Sequence, residues 1–308
     1  MSRKAQVACV TGGGTAAELM ASAVFALDEV ARLHGVEVED THVSFGGVAF
    51  AWAAQTVPVA TRAAILGADA VLVAGAEEPA LHDVMSELDL RAQVTRVRFG
   101  QSDDVAFVFP LHDASSEWAA ERAFEMAEHR SFRLTAVGDE AWLALVDEVA
   151  AAHEDVHVEH LAPRVAVPLA AFNASRFDVV LVARPWAEAV VEIAAAPAAS
   201  RVAANGLLAE HGPSLFVPSA DGAHALAGHG VVNPSSMLLA AAMMLEHGLG
   251  AVHAGQTLAG AVSAALVDGP QTPDLLQRGA GATTAEFTSR VVNTFQLTTP
   301  NVEWRGAA

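Results

Sequence analysis

Two glutamates, Glu188 and Glu192, lie one helical turn apart in a stretch with a helical pattern. Their i, i+4 spacing puts both carboxylates on one face of a helix. Carboxylate oxygens are ligands that Mg²⁺ and Mn²⁺ favour, so the pair could help to hold a divalent metal. The alternative is an exposed helix face on which both carboxylates are solvated and form no site.

Side chains that could move protons are few. The sequence has no tyrosine, and its one lysine is Lys4, near the start of the chain. A mechanism that needs a phenol or a buried ammonium group is therefore nearly excluded. His112 follows a predicted strand and could act as a general base, because imidazole titrates near neutral pH. The alternative for this loop histidine, one of 13 in the chain, is a solvated side chain without a catalytic role.

The pattern of apolar residues predicts the elements that position these groups. Apolar runs predict strands at residues 6–10, 70–75, 106–109 and 177–182, and helical patterns occur at 58–66, 117–129, 140–152 and 233–248. Asn233 and Pro234 suit the N-cap and first turn of the last helix. Glycines at 12–14 separate the first strand from a helix, but their spacing differs from the dinucleotide-binding fingerprint and predicts only a turn. The alternation of strands and helices predicts an α/β fold with a largely parallel sheet.

Length and composition narrow the class of protein. The 308 residues suffice for two domains of about 150 residues each. Hydrophobic residues make up 53% of the chain, yet no apolar run reaches the roughly 18 residues that a membrane span requires. The net charge of −19 argues against binding to nucleic acids or anionic membranes. The single cysteine, Cys9, allows no intrachain disulfide, and with no signal peptide expected it predicts a cytoplasmic protein.

Several sequence blocks, in the same order as in one enzyme family, cover nearly the whole chain. They are Phe45-Gly46-Gly47, Gly67-Ala68-Asp69-Ala70-Val71-Leu72, Glu87-Leu88-Asp89-Leu90, Ala123-Phe124-Glu125-Met126-Ala127, Arg176-Phe177-Asp178-Val179-Val180, Gly228-His229-Gly230-Val231-Val232-Asn233-Pro234, Thr272-Pro273-Asp274 and Thr283-Thr284. The chain resembles the isopropylmalate and isocitrate dehydrogenases, which are metal-dependent β-decarboxylating dehydrogenases.

This resemblance implies a bilobal fold of two α/β domains with an active-site-type cleft between them. The first domain would combine residues 1–95 and 200–308, and residues 96–199 would form the second domain and the dimer contact. Enzymes of the family oxidise a 2-hydroxy acid with NAD or NADP and then decarboxylate it. They use Mg²⁺ or Mn²⁺, a tyrosine and a lysine, in a site that takes residues from both subunits.

The catalytic positions that the resemblance implies carry other residue types here. Asp139, or Glu140 if the register slips by one, occupies the lysine position, and the segment that carries the tyrosine is shortened near His112. Glu188 and Glu192 stand at two metal-binding aspartates, and Arg164 stands at the third, which the other subunit would supply. We therefore expect no intact catalytic residue and no metal, with Arg164 replacing the ion between the glutamates.

The substrate-binding arginines of the family also lack counterparts. Met85, Thr95 and Phe109 stand at or near the expected positions. Arg91, Arg96 and Arg98 keep positive charge in the region, which leaves room for a small anionic ligand. Their alternative is a role in surface or interface salt bridges.

The nucleotide loop is altered as well. Val217, Ala220, Asp221 and Ala225 replace the family's glutamate, histidine, glycine and acidic ribose-binding residue, with Gly222 inside the loop and Asn233 retained. Asp221 would repel a pyrophosphate group. We read Ala220, Asp221, Gly222, Ala225 and Asn233 as a vestigial site and expect no bound NAD.

Three functions remain open from the sequence. The first is a pseudoenzyme that acts as a binding or regulatory subunit, in a homodimer or in a heterodimer with a family paralogue. The second is an enzyme with a rebuilt cleft that uses His112, Asp139, Glu188 and Glu192. The third is the NAD-dependent decarboxylating 2-hydroxy-acid oxidoreductase that the family name suggests.

Overall fold

A single ten-stranded sheet forms the centre of the molecule. The computed structural model describes residues 4–75, 81–98, 104–195, 202–219, 224–276 and 281–298. The strands are β1 (Ala5–Thr11), β2 (Val38–Ser44), β3 (Ala70–Ala74), β4 (Leu90–Arg98), β5 (Asp104–Pro110), β6 (Arg133–Val137), β7 (His157–Leu161), β8 (Val179–Val182), β9 (Ala203–Ala209) and β10 (Ser214–Pro218). Their order across the sheet is β2-β1-β3-β10-β9-β4-β5-β8-β6-β7.

The sheet has two parallel blocks joined by an antiparallel centre. Strands β2, β1, β3 and β10 are parallel, and so are β5, β8, β6 and β7. Strands β9 and β4 connect the blocks through antiparallel pairs. The predicted largely parallel α/β sheet is confirmed. The division into domains at residues 95 and 200 stays a prediction.

Helices cover both faces of this sheet. They are α1 (Ala16–His34), α2 (Gly46–Ala53), α3 (Val59–Gly67), α4 (His82–Met85), α5 (Ser116–Glu128), α6 (Glu140–Ala150), α7 (Pro163–Asn173), α8 (Ala187–Ala195), α9 (Ser235–Met243), α10 (Val252–Asp268) and α11 (Thr284–Thr298). The largest hydrophobic cluster packs α1, α5, α9, α10 and α11 on one face. On the other face, α7 and α8 cover the second parallel block, and α3 covers the first.

Strand β1, buried over its central residues Val7–Val10, is followed by a glycine turn. The Ala16 N–H closes this turn by donating to the Gly13 carbonyl at 3.3 Å, so the predicted turn is confirmed. The Gly12 N–H donates to the Ala74 carbonyl at 2.9 Å and joins the ends of β1 and β3. Burial raises the pKa of the Cys9 thiol to about 12, with Asp40 and Asp28 adding to the effect, so the thiol stays protonated.

None of the helices in the described ranges is long and apolar enough to cross a bilayer.

The helix predicted at 233–248 differs from the structure in its last turn. Residues Ser235–Met243 are α-helical, but Met244–Gly248 form a π-helical turn. This wider turn carries Glu246 against α10 at Gly255. A Cβ atom on Gly255 would lie 2.6 Å from the Ala242 carbonyl oxygen and would overlap Cγ of Glu246. The missing side chain on α10 therefore makes room for the π turn.

The close approach at Gly255 predicts the effect of a single methyl group. We expect Gly255→Ala to lower the free energy of unfolding by about 1–3 kcal/mol, because the added carbon overpacks the contact between the two helices. Gly260 lies on the same helix with open space around it, so Gly260→Ala serves as the control. Alanine there should be neutral or stabilise the protein by up to about 1 kcal/mol through helix propensity. Urea denaturation of both variants measures the difference, and equal effects would contradict this account.

Candidate active site

The candidate site lies where the strands of the second parallel block end. Because β5, β8, β6 and β7 run parallel, their carboxyl ends meet at one edge, where ligands of open α/β sheets bind. Two backbone hydrogen bonds hold the ends together: Ala183 N–H donates to Val137 at 2.8 Å, and Gly138 N–H donates to Leu161 at 3.4 Å. The loops that leave this edge contain most of the candidate catalytic residues from the sequence.

Asp139, at the predicted lysine position, is the N-cap of α6. Its Oδ1 atom accepts a hydrogen bond from the Trp142 backbone N–H at 3.0 Å. The preceding residue, Gly138, lies under the indole, where a Cβ atom would be 2.6 Å from Cγ of Trp142. A carboxylate at an N-cap supplies an acceptor for one of the backbone N–H groups that a helix start leaves unpaired. The geometry explains Asp139 as a structural cap rather than as a proton donor.

His112 begins the loop between β5 and α5. Its carbonyl accepts hydrogen bonds from the Ser115 backbone N–H at 3.0 Å and from Ser115 Oγ at 2.7 Å. The neighbouring Asp113 forms an exposed ion pair with Arg184 at 3.7 Å, which links the ends of β5 and β8. No hydrogen bond in the described structure joins His112 to Asp139 or to Glu188. The structure thus brings these residues to one edge without assembling them into a proton relay.

The three residues at the metal positions are all exposed. Arg164 lies in the first turn of α7, and Glu188 and Glu192 lie on α8, which packs against α7. Within the described part of the chain, none of the three forms an ion pair or side-chain hydrogen bond. The expectation that Arg164 reaches the glutamates concerns a second subunit, so it stays a prediction.

A neutral polar network occupies the position of one expected substrate arginine. Thr95 on β4 lies opposite Asn205 on β9. Thr95 Oγ1 donates to Asn205 Oδ1 at 2.8 Å, and Gln93 Nε2 donates to Thr95 Oγ1 at 3.1 Å. This network can hydrogen-bond a neutral or polar group, but it offers no charge for the bidentate binding of a carboxylate.

The remaining arginines of this region are engaged inside the protein. Arg91 pairs with Asp89 at 2.8 Å and with Glu210 at 3.1 Å. Arg96 is buried and pairs with Asp104 and, at 2.8 Å, with Glu246. Arg98 is also buried and donates to Ser263 on α10. Side chains alternate along a strand, so Arg96 and Arg98 point to the face opposite Thr95. Arg91 and Arg96 form salt bridges, but the pairs of Arg96 are buried and not at a surface as expected, and the contacts of Arg98 with Ser263 are hydrogen bonds.

The segment that resembles a nucleotide loop lies partly outside the described residues, which leaves out Ala220, Asp221 and Gly222. Ala225 is exposed in a short 3₁₀ turn, His224–Leu226. The amide of Asn233 is used within the chain: Oδ1 accepts from the Ser235 backbone N–H at 3.0 Å, and Nδ2 donates to Asp274 at 3.0 Å. Asn233 therefore stabilises the start of α9.

The same loop binds a carboxylate of the protein itself. Glu18 on α1 accepts hydrogen bonds from the backbone N–H groups of Gly228 and, at 3.1 Å, of Gly230. Backbone N–H groups of glycine loops are also the donors that bind phosphate groups. Here the two glycine donors already have an anionic partner, so they fit a bound dinucleotide poorly.

Possible metal-binding clusters in the described structure lie away from the candidate site. One consists of Cys9, Asp40 and His42, and another consists of Asp89, Glu210 and His211. The first combines a thiol, a carboxylate and an imidazole, a donor set that suits softer metals than Mg²⁺. In the second, Asp89 is already paired with Arg91 and His211. Neither cluster resembles the oxygen-rich set that Mg²⁺ requires.

Comparison with known proteins identifies the family. Residues 93–291 match the family model described as isocitrate/isopropylmalate dehydrogenase. The chain belongs to the isocitrate/isopropylmalate dehydrogenase family. The 3-isopropylmalate dehydrogenase of Bacillus thuringiensis subsp. konkukian is 28% identical and aligns with 93% of this chain and 96% of its own length. The enzyme of the same name from Streptococcus thermophilus is 26% identical, with 94% of this chain and 99% of that protein covered.

Solved structures show the same fold. A β-decarboxylating dehydrogenase from Thermococcus kodakarensis, in its apo form, superposes with a TM-score of 0.80 at 22% identity and covers 98% of this chain and 100% of that chain. An isocitrate dehydrogenase from Methylococcus capsulatus gives a TM-score of 0.74 at 20% identity. The match covers 95% of this chain and 99% of that chain. The isopropylmalate-dehydrogenase-like fold predicted from the sequence blocks is confirmed.

Sequence reasoning missed three residues of this region: Gln93, Asn205 and Glu18. Gln93 lies two residues from Thr95, so strand alternation could have placed it on the same face. Asn205 and Glu18 form hydrogen bonds with residues that are distant in the sequence, so no local sequence pattern predicts their roles.

The capping role of Asp139 can be measured. We expect Asp139→Ala to lower the free energy of unfolding by about 1 kcal/mol, because the Trp142 N–H loses its acceptor. Asp139→Asn keeps an oxygen at this position and should cost clearly less. Glu140→Ala, one residue inside the helix, is the matched control. If Asp139→Ala leaves stability unchanged, the cap contributes nothing and another role for the carboxylate must be sought.

Proposed function

We propose that this member of the isocitrate/isopropylmalate dehydrogenase family lacks dehydrogenase activity and acts as a binding or regulatory subunit of a dimer. The observation that carries the proposal is Asp139, which caps α6 at the position where the family resemblance places a catalytic lysine. The negative charge of Asp139 is the opposite of what that role requires.

The chain has no other tyrosine or lysine that could replace the missing proton-transfer pair. Tyrosine is absent from the sequence, and Lys4 stands before β1. Loss of one catalytic acid or base typically reduces a rate by about 10²–10⁴-fold. Loss of both, together with a metal ligand, would leave little activity.

The family cofactors also fit this chain poorly. The glycine N–H groups of the loop after β10 bind Glu18, and Asn233 binds Ser235 and Asp274. A guanidinium at Arg164 cannot bind a divalent cation. We therefore assign no catalytic step to NAD or to Mg²⁺ in this protein.

An exposed apolar surface on α7 and beside α8 supports the dimer. Phe172 on α7 is 91% exposed, Val165 is exposed seven residues earlier on the same helix, and Trp186 is exposed just before α8. Exposed large apolar side chains are typical of protein interfaces where they form a patch. Pairing of α7 and α8 with the same helices of a second copy would bury them. A heterodimer with a family paralogue would use the same surface.

The enzymatic part of the proposal predicts no oxidation of 2-hydroxy acids. We expect no NADH formation from isopropylmalate, isocitrate, malate or tartrate with Mn²⁺ present, because both the proton-transfer pair and a metal ligand are replaced. An active isopropylmalate dehydrogenase assayed in parallel is the control. A turnover near 1 s⁻¹ or above, within the usual range of enzymes, would refute the pseudoenzyme. If the wild-type chain does turn over a substrate and the His112→Gln variant does so more slowly, the result would support the alternative of an enzyme with a rebuilt cleft.

If the chain dimerises through α7 and α8, substitution of Phe172 should weaken the dimer. The purified chain should have twice the monomer mass at micromolar concentration by light scattering. Phe172→Ser should weaken the dimer at least tenfold, about 1.4 kcal/mol, because aromatic residues dominate interface energies. Phe50→Ser is the matched control, since Phe50 is 57% exposed on α2. A monomeric wild-type chain, or equal effects of the two variants, would contradict a homodimer through α7 and α8.

A further inference from the structure

Three side chains of different chemistry meet at the outer edge of the sheet. Strand β2 is the last strand in the sheet order, and it pairs with β1 so that His42 lies opposite Cys9. Asp40 lies two residues before His42 and therefore points to the same side of β2. One donor atom from each of Cys9, Asp40 and His42 lies within 4.8 Å of the other two. This Cys9–Asp40–His42 cluster is at the opposite end of the sheet order from β5, β8, β6 and β7.

The cluster has a buried end and an accessible end. Cys9 has 0% of its surface exposed and belongs to the hydrophobic cluster that packs α1 on the sheet. In the described part of the chain, the thiol of Cys9 forms no hydrogen bond. The side chains of Asp40 and His42 keep 33% and 55% of their surface accessible. An ion can therefore reach the cluster from solvent, with the thiol at its inner end.

The charges around the cluster favour a cation. The pKa of Asp28, on α1, is raised by burial and by the negative charges of Asp40 and Glu29, and His42 opposes this effect. Within the described residues, neither Asp28 nor Asp40 forms an ion pair with an arginine or a lysine. Asp40 contacts His42 instead, with 2.6 Å between Oδ2 and Nε2. A divalent ion would add positive charge beside carboxylates that repel each other.

The donor set of the cluster is one that zinc uses. Zn²⁺ binds thiolate, imidazole and carboxylate groups at about 2.0–2.3 Å, usually in tetrahedral geometry. Neighbouring donor atoms of such a site are about 3.5 Å apart. The three donor atoms here lie within 4.8 Å of one another, so small rotations of the accessible Asp40 and His42 side chains bring them to that spacing. Mg²⁺ prefers six oxygen ligands and does not suit a thiol and an imidazole.

We propose that Cys9, Asp40 and His42 bind Zn²⁺ and that the ion joins β2 to β1. Three protein ligands leave a fourth position for a water molecule. Strand β2 has a single neighbour in the described sheet, and most of its residues are exposed. A bond from this edge to a buried side chain of β1 therefore stabilises the part of the sheet that packing holds least. The proposal does not depend on the function of the cleft.

The ion takes the place of the thiol proton. The S–H bond of Cys9 breaks, the proton passes to solvent, and a bond between sulfur and Zn²⁺ forms without any change of oxidation state. The hydrogen bond between His42 and Asp40 is exchanged for one metal bond from each residue. Zn²⁺ brings two positive charges and one proton leaves, so the cluster becomes less negative by one charge. Without the ion the thiol stays protonated, whereas a coordinated thiol is deprotonated.

The test uses Co²⁺ as a spectroscopic probe for Zn²⁺ on the full-length chain without a histidine tag. A bond between Co²⁺ and a thiolate gives a charge-transfer band in the near ultraviolet. Cys9 is the single cysteine of the chain, so the band reports on this site alone. We expect Co²⁺ to produce the band, Zn²⁺ to abolish it and millimolar Mg²⁺ to leave it unchanged. Zn²⁺ should also raise the temperature of thermal unfolding, because it binds the folded chain.

Three variants locate the ion. Cys9→Ala should remove the band. His42→Gln should weaken Zn²⁺ binding by more than the roughly 10–100-fold that loss of an outer-shell partner costs. The matched control is His211→Gln, which removes an exposed histidine 3.1 Å from Asp89 and should leave the Zn²⁺ affinity unchanged.

Thermal unfolding without metal establishes that each variant folds. His42→Gln replaces an accessible side chain, so it tests the site even if Cys9→Ala does not fold. The proposal is overturned if Co²⁺ gives no thiolate band, if Mg²⁺ displaces Co²⁺, or if Zn²⁺ leaves the unfolding temperature unchanged. Equal Zn²⁺ affinities of His42→Gln and His211→Gln would overturn it as well.

Discussion

A buried ionic network holds together segments that are far apart in the sequence. Arg96 on β4 joins Asp104 on β5 to Glu246 on the π turn, and Arg130 after α5 joins Asp104 to Asp178 before β8. Burial alone would raise the pKa of Asp178, but Arg130 and hydrogen bonds from Ser131 hold it below its usual range. Removing one partner of a buried pair costs about 3–5 kcal/mol, because the remaining charge is uncompensated. The network therefore ties the antiparallel centre of the sheet to the end of α5, the π turn and the start of β8.

Much of the architecture could be predicted from apolar periodicity, since burial in a layered α/β fold leaves a regular pattern. The predicted helix at 140–152 is observed at Glu140–Ala150, and the predicted strand at 70–75 is observed at Ala70–Ala74. The π turn could not be predicted in this way, because every residue from Ser235 to Leu245 is buried and the segment has no exposed side to mark a helical period. Its cause is the contact of Glu246 with Gly255, which joins two helices and has no local sequence signal.

The candidate site could be located from the sequence, but the roles of its residues could not. The family resemblance drew attention to Asp139 and Thr95, and the structure has Asp139 at the sheet edge and Thr95 on β4. The role of a carboxylate depends on the groups that it contacts. Asp139 contacts the backbone N–H of Trp142 and therefore caps a helix. The neutral network of Thr95 and Asn205 depends on the pairing of β4 with β9, which only the tertiary structure reveals.

The antiparallel centre of the sheet also determines the order in which the chain can fold. Strand β4 pairs with β9, and Thr95 and Asn205 are 110 residues apart. Closing so long a loop carries an entropic cost that nearby pairings avoid. The block β5, β8, β6 and β7 draws all its strands from residues 104–182 and can assemble before that loop closes. During synthesis, the edge of β4 that pairs with β9 therefore stays free until the chain beyond residue 209 has emerged. In that interval its backbone hydrogen-bonding groups are open to other proteins.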